Sequence, residues 1–229
     1  SYTNVGGANI STNSVTKTMG ISSNSNNNVI NWKTFSIAKG ETVGFDAKNY
    51  LNLVRGASKS EIDGTLNGEA GGTVYLINPN GILFGSTAQV NVGNLVASTR
   101  AITDDDQNTF LAGNNPITTN TASSAAGDIM NLGKLQTTKL VLEGNNITIQ
   151  NAADITDGTT PLTSVVTIKS NGIITVGHSL GDDNRVDRSF NGTNQKVHDY
   201  AKATVASSGY TSKKLDGTTD NAIKEAMLV

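Results

Sequence analysis

Short apolar runs separated by turn residues recur along most of the chain. In the segment YLINPNGILFGSTAQVNVGNLVAST, which spans residues 75–99, each run is only a few residues long. Because no helical period persists over about eleven residues before the C-terminal tail, the pattern predicts an all-β fold. Within 29–37 the alternation slips by one residue at Thr34, which predicts a β-bulge. The predicted strands lie at 29–37, 42–45, 50–54, 62–66, 72–77, 82–84, 88–99, 129–130, 132–135, 140–142, 147–149, 165–168 and 173–176.

The length and spacing of these runs favour a right-handed parallel β-helix over a β-sandwich. A sandwich needs strands of about five or six residues joined by hairpins, whereas most runs here are shorter and irregularly spaced. In a β-helix, short strands wind round one axis and stack about 4.8 Å apart, so that inward Val, Ile and Leu form columns. At roughly 20–25 residues per coil, we expect about eight or nine coils.

The sequence Asn78-Pro79-Asn80-Gly81 separates two of the predicted strands. Pro79 has no N–H and therefore lies outside any central ladder. Asn78 can hydrogen-bond back to the backbone, and Asn80 or Gly81 can adopt a positive φ. We predict a β-turn here, which directs the chain from one face of a coil to the next.

Composition and charge limit the classes of function. The net charge of −2 at pH 7 gives no electrostatic reason to expect nucleic acid or an anionic membrane as a partner. No cysteine is present, which excludes disulfides and thiolate metal sites. No apolar run approaches the roughly 20 residues that span a bilayer. The chain starts at Ser1 without a basic and apolar leader, so we expect that a signal peptide has been removed.

The sequence offers few candidate catalytic or metal-binding residues. Asp104–Asp106 and Asp182–Asp183 lie in polar segments predicted to be solvated loops, with a weak calcium site as the alternative. His178 and His198 lack the spacing of zinc ligands. We therefore predict no catalytic residue, no metal site and no cofactor. Trp32 could stack against a sugar, but its position between apolar residues favours packing in the fold.

Two segments carry a set of motifs whose order and spacing are more specific than any one of them. They are VINWKTFSIAKGETVGF from Val29 and NLVRGASKSEIDGTLNGEAGGTVYLINPNGILFGSTAQVNVGNLVASTR from Asn52. These segments closely resemble the N-terminal secretion domain of two-partner secretion exoproteins, the filamentous-haemagglutinin type, and within it the high-molecular-weight adhesins. The resemblance covers about residues 1–180 and is densest over 29–100. The features that carry it are Asn31-Trp32 with Phe35 and Ile37, the Val43/Phe45 strand, NLVRG, GTLNG, INPNGILFG and NLVAST.

One motif of that family is missing from this chain. Several members carry Asn-Pro-Asn-Leu upstream of Asn-Pro-Asn-Gly. Here the corresponding segment is GASKSEIDG at 56–64, which contains no proline and places the chain in the adhesin-like branch. The NNP at 114–116 lies in the wrong place to substitute for it.

The resemblance implies a right-handed β-helix with an N-terminal cap and extra-helical strands, and residues 1–28 are expected to close one end of it. It implies a secretion domain over 1–180, and residues 181–229 are expected to continue the β-helix or to begin a truncated passenger. The residues expected to form or hold a recognition surface are Asn78, Pro79, Asn80, Gly81 and Ile82, with Asn31, Trp32, Phe35 and Ile37 in the cap.

The resemblance also implies a function. The domain would be recognised in the periplasm by the POTRA domains of a TpsB-type outer-membrane transporter, would cross that barrel unfolded, and would nucleate folding outside the cell. The protein is then expected to be secreted or displayed at the bacterial surface, and the domain to be a monomer. Two alternatives stay open: an adhesin module that binds a host glycan or protein receptor directly, and a polysaccharide-degrading β-helix enzyme.

Overall fold

The structure is a computed structural model of the 229-residue chain. It describes residues 1–116, 124–150, 154–158, 165–172 and 174–176, together with three short strands at 204–205, 212–213 and 219–220. The expected continuation over 181–229 therefore lies outside the described residues, apart from those three strands.

The described residues are mostly strands, with a single short helix. The strands are β1 (Tyr2–Asn4), β2 (Asn9–Asn13), β3 (Thr18–Ser22), β4 (Asn27–Trp32), β5 (Thr42–Phe45), β6 (Asn49–Val54), β7 (Ser60–Ile62), β8 (Thr65–Ile77), β9 (Ile82–Phe84), β10 (Gln89–Ser98), β11 (Ile129–Asn131), β12 (Lys134–Gln136), β13 (Lys139–Gly144), β14 (Ile147–Ile149), β15 (Ile155–Thr156), β16 (Val165–Ser170), β17 (Ile174–Val176), β18 (Thr204–Val205), β19 (Ser212–Lys213) and β20 (Thr219–Asp220). The helix α1 (Asp104–Leu111) lies between β10 and β11.

Successive strands fall on three faces that wind round one axis. Face 1 stacks β1, β4, β6, the second part of β8, the second part of β10, β13, β16 and β18. Face 2 stacks β2, β3, β5, the first parts of β8 and β10, β12 and β15. Face 3 stacks β7, β9, β11, β14 and β17. The predicted parallel β-helix is confirmed.

Over the described residues the β-helix has about six turns, against the eight or nine expected for the whole chain. Part of the difference arises because the expectation counted every residue as part of a coil. Residues 1–22 instead form antiparallel elements at one end, and the segment that carries α1 leaves the coils between β10 and β11. A further correction concerns 62–77. The predicted strand 62–66 divides between β7, which ends at Ile62, and β8, which begins at Thr65 and continues round a corner through the predicted strand 72–77.

The interior is filled by columns of mostly aliphatic side chains. On face 1, one column consists of Tyr50, Val74, Leu95, Leu140 and Val166, which pair in that order and are all buried. Each such side chain stabilises the fold by roughly 1.5–3 kcal/mol relative to an exposed position. Stacking the same inward position from coil to coil therefore builds one continuous core.

The N-terminal residues form the expected cap. β1 pairs antiparallel with β4, and β2 and β3 form an antiparallel hairpin whose second strand continues in parallel to β5. The predicted bulge at Thr34 is wrong. β4 ends at Trp32, and Ile37 makes an isolated parallel bridge to Ile62, so the slip in alternation is a corner between two faces.

The segment that carries α1 covers the outer side of face 1. Thr103 and Asp106 form a capping box at its N-terminus, so Asp104–Asp106 begin a helix and the predicted loop is wrong there. Phe110 packs edge-to-face on Tyr75, with ring centroids 5.3 Å apart. Outward apolar residues of face 1 are thereby buried. The helix was not predicted, because eight residues are too few for a helical period to be recognised in the sequence.

Candidate functional site

The Asn-Pro-Asn-Gly motif forms the predicted turn between β8 and β9. The N–H of Gly81 donates to the carbonyl oxygen of Asn78 at 3.1 Å, which closes a β-turn. Asn78 Oδ1 accepts from the N–H of Asn80 at 3.0 Å. The positive φ falls on Gly81, at 120°, where glycine carries no steric penalty. Pro79 and Asn80 are exposed, whereas Asn78 is fully buried.

The buried amide of Asn78 fastens this turn to the preceding coil. Its Nδ2 donates to the carbonyl oxygen of Ser58 and to Oγ of Ser60, both at 3.0 Å. Asn80 makes a similar contact at the surface, where its Nδ2 donates to the carbonyl oxygen of Gly56 at 2.8 Å. The two asparagines therefore satisfy backbone groups that the corner would otherwise leave without partners.

The following coil closes over the turn from the other side. The N–H of Ile82 donates to the carbonyl oxygen of Asp128 at 3.0 Å. Gly127 lies so close that an added Cβ would be 2.6 Å from the carbonyl oxygen of Pro79 and 2.8 Å from the nitrogen of Gly81. The turn is thus enclosed between two coils, and an external partner can reach it only through Pro79 and Asn80.

Residues of three sequence motifs meet along one corner of the β-helix. Arg55 Nε donates to Asn31 Oδ1 at 2.8 Å, and the neighbouring Gly56 accepts from Asn80. The N–H of Arg55 also donates to the carbonyl oxygen of Trp32 at 2.7 Å. We call Asn31, Arg55, Gly56, Pro79 and Asn80 the corner column. Residues from three separate sequence motifs become neighbours here because each ends a strand on the same face.

The remaining predicted cap residues are buried. Trp32 is 2% exposed, and its ring lies edge-to-face with Phe35 at a centroid distance of 5.0 Å. Its Nε1 donates to Oδ1 of the buried Asn52 at 2.9 Å. Ile37 is buried as well. The packing interpretation of Trp32 is confirmed, and no face of its ring is open to a sugar.

A buried ionic cluster joins three coils on the outer side of face 1. Glu143 accepts hydrogen bonds from Ser98 Oγ at 2.6 Å and from Arg100 Nε at 2.8 Å, and Arg100 Nη2 approaches its second oxygen at 2.7 Å. Lys169 Nζ lies 2.7 Å from that second oxygen, and the Lys169 and Glu143 side chains are both fully buried. Burial alone would raise the pKa of Glu143, but the hydrogen bonds from Arg100, Lys169 and Ser98 lower that pKa to about 2.

No metal centre is evident in the part of the chain that the structure describes. There, no three His, Cys, Asp or Glu side chains gather closely enough to hold an ion. Over the same residues, no helix has the length and apolarity needed to cross a membrane. His178, His198 and Asp182–Asp183 lie outside the described residues.

Comparison with protein families identifies this architecture. The model of the TPS secretion domain matches residues 2–209, which is most of the chain. The chain belongs to the TPS secretion domain family. TPS secretion domains are parts of exported exoproteins and are not a known class of enzymes. The resemblance stated from the motifs is therefore confirmed.

Similar proteins are known from Haemophilus influenzae. This TPS secretion domain is 40% identical to a heme/hemopexin-binding protein over 75 residues, which are 31% of this chain and 8% of that protein. It is 38% identical to the heme/hemopexin-binding protein of strain Rd over 100 residues, or 42% of this chain and 11% of the relative. The chain thus spans about a tenth of these relatives. The crystal structure of the HMW1 secretion domain is 23% identical, with a TM-score of 0.48, and the match covers 76% of this chain and 41% of that one.

Sequence reasoning named Asn31, Pro79 and Asn80 but did not place them beside Arg55 and Gly56, and it missed the ionic cluster. The signal was present, because Glu143 and Lys169 each interrupt an otherwise apolar strand near its end, in LVLEG and VVTIKS. Strand register pairs Ser98 with Glu143 and Glu143 with Lys169. The sequence does not reveal that these residues stack. Ser98 and Glu143 are 45 residues apart and Glu143 and Lys169 are 26 apart, and the first interval includes the segment that carries α1.

Proposed function

We propose that this TPS secretion domain is the element through which a large exoprotein is recognised by its TpsB-type transporter, and that the transporter's periplasmic POTRA domains bind it. The observation that carries the proposal is the family match over residues 2–209. TPS domains interact with TpsB transporters, and their exoproteins reach the outside through the periplasm and the outer membrane. Interaction with a TpsB transporter is therefore a property of the family. The contact between this domain and the POTRA domains is our proposal.

We propose that the corner column forms part of the recognition surface, because it contains the exposed residues of the turn motif. Its outer groups, the Pro79 ring and the Asn80 and Arg55 side chains, are exposed on one corner. Their positions depend on Asn78, which is buried and fastened to the coil below. In this proposal Asn78, Gly81 and Ile82 act indirectly, because they hold the backbone that presents Pro79 and Asn80.

We further propose that the domain nucleates folding outside the cell. The cap closes the N-terminal end, so new coils add at the other end, where the last strands of each face provide the template. Each added coil buries another set of aliphatic side chains and completes a backbone ladder, which makes return into the barrel unfavourable. We propose that residues 181–229 extend this template or begin the passenger, beyond a secretion domain over 1–180.

Removing both asparagine amides of the turn tests the role of the corner. In an Asn78→Ala/Asn80→Ala variant of the exoprotein, we expect several-fold less secreted protein, because buried groups of Ser58 and Ser60 lose their partners and the corner shifts. The measurements are the amount of exoprotein in the medium when the cognate transporter is co-expressed, and the affinity of the isolated domain for the POTRA domains.

A matched pair of asparagines supplies the control. Asn9 and Asn24 are exposed, and within the described chain their side chains make no hydrogen bond. An Asn9→Ala/Asn24→Ala variant should be exported normally. Normal export and unchanged POTRA affinity of the turn variant would remove the corner column from the recognition surface.

A further inference from the structure

Three basic side chains lie in or beside the corner column. They are Lys33, Arg55 and Lys59, all exposed, and we call them the basic rim. The three segments that form this corner on successive coils, 31–36, 55–60 and 78–81, contain no acidic residue, although acidic residues outnumber basic ones by 19 to 17 in the whole chain. Positive charge is therefore concentrated at one corner of a protein whose net charge is negative.

Close stacking of the backbone joins the basic rim to the exposed turn. The N–H of Gly56 donates to the carbonyl oxygen of Lys33 at 3.1 Å, and a Cβ added at Gly56 would lie only 2.2 Å from that oxygen. Gly56 in turn accepts from Asn80, so these three residues form one stack across three coils. A Cβ added at Gly81 would lie 3.8 Å from Cβ of Lys59. The basic rim and the turn are therefore one continuous surface.

The cations of the basic rim are available to a partner. Within the described chain, the Lys33 side chain makes no hydrogen bond and no ion pair. Arg55 donates its Nε to the neutral amide of Asn31, which leaves its terminal nitrogens for another acceptor. Lys59 Nζ lies 3.2 Å from Glu61 Oε1, but about half of each side chain is exposed, and such a pair contributes little to stability.

The next cation along this corner has an internal counter-ion instead. Strand register places Arg100 one coil beyond Pro79. Its guanidinium is held by the buried carboxylate of Glu143, and its side chain is only 12% exposed. The fold thus pairs one corner cation with a carboxylate of its own and leaves Lys33 and Arg55 without one.

The number of charges indicates the kind of partner. Clusters that bind anionic lipid contain about four to eight Lys or Arg residues, and proteins that bind nucleic acid commonly neutralise about 6–10 phosphates. Three cations are too few for either. They are sufficient for a contact between two proteins, in which a few charges at the rim of the interface set the rate and the orientation of docking. The exposed Pro79 ring adds an apolar group that a protein surface can cover.

We propose that the basic rim docks an acidic surface of the transporter's POTRA domains. This inference rests on the proposed function, and it adds the charge of the partner surface and the residues that select it. Carboxylates of the partner pair with Lys33 and Arg55 as the two proteins meet, and the Pro79 ring is covered in the complex. Lys59 adds to the attraction, because its pair with Glu61 is exposed and readily exchanged.

Reversal of charge at the basic rim tests this inference. The test variant of the 229-residue chain is Lys33→Glu/Arg55→Glu. The control, Lys134→Glu/Lys139→Glu, makes the same change in net charge at exposed positions on β12 and β13. Surface plasmon resonance gives the rates of binding to the POTRA domains at about 50 and 300 mM NaCl.

We expect the unchanged chain to associate several-fold more slowly at the higher salt concentration, because salt screens the attraction between opposite charges. At the lower salt concentration, the rim variant should bind at least about 10-fold more weakly, mainly through slower association, whereas the control should stay within about 2-fold of the unchanged chain. A disturbed fold would instead be seen in thermal unfolding. Lys33→Gln/Arg55→Gln removes the charges without reversing them and should show an intermediate loss.

The outcomes separate this inference from the function on which it rests. If the unchanged chain binds the POTRA domains but the rim and control variants bind equally well, the basic rim is not the docking site. Tighter binding of the rim variant would mean a basic partner surface and would also overturn the inference. So would a rim variant that loses binding only to phosphatidylglycerol vesicles, since the partner would then be lipid. If the unchanged chain does not bind the POTRA domains at all, the proposed function itself is wrong, and this inference falls with it.

Discussion

Glu143→Ala should lower the free energy of unfolding by about 3–5 kcal/mol, because it removes the buried carboxylate that pairs with Arg100 and Lys169. Lys169 is fully buried and the Arg100 side chain is only 12% exposed, so water compensates poorly for the lost carboxylate. The hydroxyl of Ser98 loses its acceptor as well. Urea unfolding at neutral pH, followed by circular dichroism, measures the change.

An exposed ion pair in the same domain gives the matched control. Lys59 Nζ lies 3.2 Å from Glu61 Oε1, and about half of each side chain is exposed. Glu61→Ala should therefore cost less than about 1 kcal/mol. If Glu143→Ala proved no more destabilising than Glu61→Ala, burial of the cluster in the folded protein would be contradicted.

The same cluster makes stability depend on acid pH. The pKa of Glu143 is lowered to about 2 in the folded protein, whereas a glutamate in an unfolded chain titrates near 4.3. The stabilisation is therefore fully present above about pH 4.3 and is lost as the pH falls towards 2. Between pH 5 and 2, we expect the unfolding free energy of the unchanged domain to fall more steeply than that of Glu143→Gln. Equal slopes would show that another carboxylate dominates acid unfolding.

Gly127→Ala should destabilise the domain by about 1–3 kcal/mol, and Gly127→Val should do so by more. The reason is steric, since the new Cβ would meet backbone atoms of Pro79 and Gly81, which cannot move as a side-chain end can. The carbonyl oxygen of Gly127 also accepts from Thr99 Oγ1 at 2.8 Å, so displacement of the backbone breaks a second contact. Unfolding in urea gives the stability, and export with the transporter shows whether the corner column shifts.

Gly20→Ala is the control for backbone effects in this second test. A Cβ at Gly20 meets nothing within 4 Å, and the residue has no positive φ, so alanine should be neutral or slightly stabilising. If Gly127→Ala were as stable as Gly20→Ala, the close contact between Gly127 and the backbone of the turn would be contradicted.

Local patterns in the sequence were sufficient for the class of fold and for the turn. Short aliphatic runs fix strands, and proline between two asparagines fixes a corner, because both effects depend on neighbouring residues alone. The Asn78–Gly81 turn was predicted together with the hydrogen bond between the Asn78 side chain and the backbone, which Asn78 Oδ1 accepts, and with a positive φ at Asn80 or Gly81. The slip at Thr34 was misread, since a corner and a bulge disturb the alternation in the same way.

The family, most of the strands and the turn chemistry were thus determined by the sequence itself. Only the tertiary structure decided which side chains meet across coils: Ser98 with Glu143 and Lys169, and Asn31 with Arg55. These contacts depend on strand register, which follows from the length and path of every connection between coils. The connection that contains α1 is an example, because Ser98 and Glu143 lie on either side of it, 45 residues apart, and are in direct contact. No local pattern in the sequence indicates that these two residues meet.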